Sequence, residues 1–180
     1  MVSGGDDFVP TASYTKQNET SVTLYANGYD IGGSADAGRF AYLTVTGDFT
    51  YTVRLDRTNY SASGAKGGVM VRESLNSASK MAFIGCQNNG DFFALHRKKI
   101  GLSATFENYG HAELGTYLRI VRKDNTMTTY LSEDGIHFVK VSEMIYDELK
   151  ETLMVGVMAS NRNATGYNKA IFNDIILVRG

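Results

Sequence analysis

Seven basic side chains stand on segments whose composition suits β-strands: Arg72, His96, Arg97, Lys98, Lys99, Arg119 and Arg122. Arginine holds a carboxylate through two parallel, charge-assisted hydrogen bonds, so these residues on one sheet would make a cationic groove for an acidic polysaccharide. Arg72 and Arg97 head the set, because a period of two places each on the more polar side of its own strand. Tyr42 and Tyr117 would add ring faces for sugar C–H groups. The competing reading is solvated strand ends, an Arg72–Glu73 pair and tyrosines packed on a sheet.

Other chemistries find less support. Glycan hydrolysis needs two carboxyl groups about 5 to 10 Å apart across the scissile bond. No strand carries acids at i and i+2; Glu133-Asp134 reads as a hairpin tip, and Asp147, Glu148 and Glu151 as solvated surface. His96, His111 and His137 are scattered, without neighbouring Cys or acid at zinc-ligand spacing. There is no Gly-x-Ser-x-Gly, and Gly64-Ala65-Lys66-Gly67-Gly68 lacks the Walker spacing. The single cysteine, Cys86, lies in an apolar run and reads as a small buried thiol. These residues predict a non-enzyme.

The elements that must position these residues are strands. Nineteen glycines, eleven tyrosines and nine phenylalanines, with many Val, Ile and Thr, make a strand-and-turn composition in 180 residues, enough for one domain. β-Rich runs at 21–25, 40–46, 48–56, 68–73, 80–86, 92–98, 117–122, 127–131, 136–141, 152–158 and 170–178 are separated by turn residues, as in a sandwich or barrel. Thr46-Gly47-Asp48, Asn88-Asn89-Gly90, Lys123-Asp124-Asn125 and Glu133-Asp134-Gly135 supply turn chemistry, as does Ala26-Asn27-Gly28. Only 143–150 reads as helical, on the pair Ile145 and Leu149. Residues 1–18 read as a linker and 19–180 as the domain.

Lys plus Arg total 18 against 19 acids, so no overall field draws the chain to nucleic acid or to an anionic membrane. No apolar run approaches the roughly 18 residues of a membrane span. The start has neither a basic n-region nor an apolar h-region, and reads as a module excised from a larger protein.

One family matches the order of several motifs. Asp30-Ile31-Gly32-Gly33, Thr46-Gly47-Asp48-Phe49-Thr50, Gly68-Val69-Met70-Val71-Arg72-Glu73-Ser74, Tyr130-Leu131-Ser132-Glu133-Asp134-Gly135, Val155-Gly156-Val157-Met158-Ala159-Ser160-Asn161 and Phe172-Asn173-Asp174-Ile175 follow one another as in that family. From about residue 20 to 180 the chain resembles the bacterial concanavalin A-like, LamG-like jelly-roll modules attached to secreted glycoside hydrolases and polysaccharide lyases. The resemblance implies an antiparallel jelly-roll β-sandwich that binds polysaccharide without cutting it. It also implies an attached catalytic domain and a secreted or cell-surface location. It admits a structural calcium near the terminal strands, with Asp30, Asn173 and Asp174 as candidate ligands and a polar strand edge as the alternative; no other cofactor is expected. The chain departs from the family where tryptophan is common: Tyr117, Phe138 and His96 stand there, and the sequence has no Trp.

Overall fold

Strict alternation along several strands sorts side chains to two faces, and two stacked sheets are what such strands build. The computed structural model describes residues 3–5, 14–17, 20–59 and 62–180. The front sheet runs β1 (Ser3–Gly5), β4 (Arg39–Thr46), β13 (Thr152–Ser160), β6 (Lys66–Arg72), β7 (Met81–Gln87), β8 (Asp91–Arg97) and β9 (Thr105–His111). The back sheet runs β12 (Val139–Ile145), β11 (Thr126–Ser132), β10 (Thr116–Lys123), β5 (Phe49–Asn59), β14 (Asn163–Arg179), β3 (Val22–Gly28) and β2 (Tyr14–Gln17). Every pairing is antiparallel, and no helix occurs among the described residues, so the fold is an all-β sandwich of the expected jelly-roll class.

Alternation decides which side chains meet between the sheets. Val69, Val71, Ile84, Phe92 and Val157 from the front sheet pack on Tyr51, Val53, Leu118, Ile120 and Phe172 from the back sheet. Burying each such side chain stabilises the fold by about 1.5–3 kcal/mol. The opposite face of the front sheet is apolar too. Phe40, Met70, Met81, Phe83, Phe93, Leu95 and Met158 form a second buried cluster there, closed by Ile31 from the segment 29–38. A face that a one-core sandwich would open to solvent is therefore covered.

Three segments differ from expectation. Residues 143–150 form no helix: 143–145 complete β12, and the following chain is tied to the β10–β11 turn, Tyr146 N donating to the Asn125 carbonyl and Leu149 N to Asn125 Oδ1. Ile145 is exposed whereas Leu149 is buried, so the i, i+4 pair never shares a face. Strand β9 escapes the pattern because it is an edge strand whose residues are almost all exposed, and no alternation marks it. Within the segment read as linker, β1 pairs with β4 and β2 with β3.

Candidate functional site

The two arginines placed at the head of the cationic set lie inside the molecule. Arg72 and Arg97 are both fully buried and converge on Asp36, whose side chain is equally inaccessible. Arg97 grips Asp36 bidentately, Nη1 to Oδ2 at 2.7 Å and Nη2 to Oδ1 at 2.9 Å; Arg72 Nη1 lies 3.4 Å from Oδ2. Carbonyls of Gly32, Gly33, Ser77, Ser79 and Leu102 take up Arg97, and those of Ser74 and Asn76 take up Arg72. Burial pushes Arg72 down to about 10, with Asp36 opposing that shift and Arg97 adding to it. The three residues thus latch segment 29–38 over the front sheet. Neither arginine meets solvent, which corrects their placement in an open groove.

His96 is corrected in the same way, since it faces the inter-sheet core. Tyr146 Oη donates to the Met81 carbonyl at 2.7 Å, so it accepts from His96 Nδ1 at 3.1 Å. Nε2 then accepts from Ser142 Oγ at 2.7 Å, which in turn accepts from Thr129 Oγ1 at 2.7 Å. The chain of hydrogen bonds suits a neutral ring, and burial pushes its pKa from 6.5 down to about 4. Between those two values the unfolded state holds a proton that the folded state does not, so stability rises with pH across that window. The contribution is complete above pH 6.5 and is lost as pH falls towards 4, in total roughly 3 kcal/mol. Melting temperature should fall over this range, before the carboxylates titrate, and His96→Leu should flatten the slope. A wild-type profile level from pH 6.5 to about 4 would contradict the burial argument.

The remaining expected residues disperse. Lys98 is half-exposed and pairs with Asp147 at 3.3 Å. Tyr42 stacks on Phe40 at 5.0 Å between centroids, as part of the second cluster's margin. Arg122 is buried, donating to the Gly47, Glu151 and Asp124 carbonyls and so tying turns together. Asp30 is occupied by the Lys66 ammonium at 2.5 Å, with Arg162 at 3.9 Å. Asp174 faces Arg54 at 3.0 Å. The carboxylates of Asp30 and Asp174 are thus each paired with cations of the chain itself, and no cluster of three or more acid, His or Cys side chains fit to hold a metal ion occurs among the described residues.

Tyr117 and Arg119 do come together with Asn173 and Asp174, on the outer face of the back sheet. Leu118 and Ile120 point inward, so Tyr117 and Arg119 point out, opposite Arg54 and Thr52 of β5. Asp174 sits at an irregularity of β14 with φ of 51°, a conformation Asp tolerates, and there accepts from Tyr117 Oη at 3.1 Å. Arg54 also grips Asp56, at 2.5 and 3.0 Å, and Asn173 donates to the same carboxylate. Burial works against ionisation of Asp56, yet Arg54 and Asn173 together hold it below its ordinary value.

Arg119 is different. Its guanidinium lies 3.4 Å from the centroid of the Phe138 ring, and Nε donates to Thr52 Oγ1 at 2.9 Å. Tyr130 is its neighbour on β11. Burial holds it below the usual arginine range, and no carboxylate among the described residues opposes that shift. Arg54 and Asp56 were not singled out from sequence, and Phe138 was marked only as standing where tryptophan is common in the family. Arg54 and Asp56 are i, i+2 on the polar alternation of β5, which was the available signal.

On the other side of the 133–138 loop lies a cleft of about 390 Å³, lined by Tyr109, Thr116, Ser132, Glu133, Asp134 and His137 among others. Asp134 accepts from His137 Nδ1 at 2.6 Å, from Ser132 Oγ and from the Ile136 and His137 amides; the His137 bond first, then the others, hold it well below the usual carboxylate range. Loop closure makes this acid–histidine pair at i, i+3, a spacing passed over in the sequence.

No protein-family model matches the sequence, and no curated protein matches it. In fold the chain is similar to a functionally unknown protein from Saccharomyces cerevisiae, with a TM-score of 0.80 at 16% identity over 99% of this chain and 96% of that one. It is also similar to part of the GH43 protein BlXynB from Bacillus licheniformis, with a TM-score of 0.69 at 20% identity, over 89% of this chain and 33% of that one. The carbohydrate binding module CBM66 from Bacillus subtilis matches with a TM-score of 0.59 at 14% identity, over 92% of this chain and 91% of its own. The chain thus spans about a third of the length of BlXynB and nearly all of the other two.

Proposed function

We propose that this chain binds carbohydrate without cleaving it, and that Arg119 on the outer face of the back sheet holds the carboxylate of an acidic polysaccharide such as pectin. The observation that carries this is a half-buried guanidinium, fixed by Thr52 and Phe138, with no carboxylate to balance it among the described residues. Because the side chain is already held in place, little conformational entropy remains to be lost on binding. An incoming uronate would supply two charge-assisted hydrogen bonds to its open edge. The likeness in fold to CBM66 and to part of BlXynB supports the carbohydrate reading and attachment to a catalytic domain; a secreted or cell-surface location is part of the same proposal.

A binding role also fits the acids. A glycosidase needs one carboxyl raised so that it can donate a proton near neutral pH. Asp56, Asp134 and Asp147 are each held below the usual carboxylate range, so none of these three is tuned as that donor.

Affinity gel electrophoresis in polygalacturonate should retard the protein, less so as salt is raised, and Arg119→Ala should weaken retention at least tenfold, about 1.4 kcal/mol. Retention by Arg119→Ala equal to that of the wild type rejects the site, and sugar release from the polymer rejects the non-catalytic reading. A second reading, packing on a neighbouring domain, is favoured by the exposed edge strand β9, which carries Phe106, with Ile100 and Leu102 exposed on the chain leading into it. It expects no glycan retention and a higher melting temperature when that domain is fused.

A further inference from the structure

We infer that the cleft between β9 and the 133–138 loop is a second sugar subsite, built for a neutral residue rather than a uronate; this rests on the reading of the chain as a carbohydrate binder. Its volume of about 390 Å³ falls in the size range of small-ligand pockets, and its walls are of two kinds. Tyr109 and Val139 supply exposed apolar surface, the tyrosine offering a ring to sugar C–H groups. Glu133, Asp134 and His137 supply the polar groups.

The polar side is organised in advance. Three hydrogen bonds fall on Asp134 Oδ1, whereas Oδ2 accepts only from His137 Nδ1, which leaves it a lone pair for a sugar hydroxyl. The same bond fixes the imidazole, and its Nε2 has no partner among the described residues. Carboxylates accept from hydroxyls, and they repel another carboxylate. A cleft holding Glu133 and Asp134 therefore selects a neutral polyol over an acidic one, the reverse of the Arg119 face.

The two places share one loop. Gly135 packs on the Tyr117 ring and Phe138 lies against Arg119, while Asp134 and His137 of the same loop line the cleft. A branched or mixed polymer could so place a charged unit on the sheet face and a neutral unit in the cleft.

The test is titration of the isotope-labelled full chain with xylotetraose, cellotetraose and an inulin-type tetrasaccharide, followed by amide NMR. Gly135 and His137 amides should shift with at least one of these. Tyr109→Ala and His137→Ala, both at exposed positions, should weaken that binding at least tenfold and leave retention on polygalacturonate unchanged. Arg119→Ala should do the opposite. Shifts absent from the cleft with all three sugars, or unchanged affinity in both cleft variants, overturn the inference. Polygalacturonate retention that persists in that case leaves the reading of the chain as a glycan binder standing; loss of both removes the two together.

Discussion

Replacing Asp36 with alanine is expected to remove about 3–5 kcal/mol of folding stability, because it strands two buried guanidinium groups without their counter-charge. Arg97 and Arg72 are both fully buried, and Asp36 is the carboxylate that each faces. The carbonyls around them satisfy N–H groups but carry no net negative charge. Asp36 also accepts from the Gly32 amide at 2.9 Å, so the substitution frees the segment that seats Ile31 on the second cluster. Asp36→Asn keeps the shape and loses the charge; most of the loss should remain. Urea unfolding should show a lower midpoint for both variants, with little dependence on salt, since buried charges are poorly screened. A loss below about 1 kcal/mol for Asp36→Ala would refute the latch.

Gly156→Ala should be comparably damaging, for a reason that involves no charge. An added Cβ would run into the Ala41 carbonyl oxygen and stand 2.7 Å from Tyr42 Cα, both backbone atoms of β4. Backbone cannot swing aside as a flexible side chain can, so β4 and β13 must part locally. The expected cost is about 3 kcal/mol or more, at the upper end of overpacking effects. Gly47→Ala is the control: its φ of 78° strains an alanine, but nothing lies within 4 Å of the added carbon, and about 1 kcal/mol should be lost. Thermal unfolding of the two variants side by side reads the difference, and hydrogen exchange should place the Gly156→Ala effect on the β4–β13 ladder. Equal losses would mean that conformational strain, not close strand approach, governs both positions.

Both predictions concern the front sheet, and they bear on where a ligand can bind. With the latch closed, the outer face of that sheet is a second core, in which Phe83, Phe93 and Met70 lie buried with Ile31 of the segment 29–38. Among the described residues, side chains of the outer face of the back sheet and of the 133–138 loop stay open to solvent. Arg119 and the Asp134–His137 pair lie there.

Alternation, turn chemistry and composition by themselves determined the all-β class, most of the strands, and, in the regular ones, the side on which a residue stands. Val69 and Val71 face the inter-sheet core with Met70 opposite, and Phe92 and Ala94 oppose Phe93 and Leu95, as a period of two requires. These features are local: a period of two is written into neighbouring residues. Whether a face meets water is not local. Arg97 is buried because Asp36, 61 residues away in the chain, comes to it, and no residue near Arg97 announces that partner. The same holds for the candidate site. Tyr117 and Arg119 were legible as outward residues of one strand, but the positive φ that carries Asp174 to Tyr117, and the loop that lays Phe138 on Arg119, exist only once the sheets have paired and the chain has closed over them.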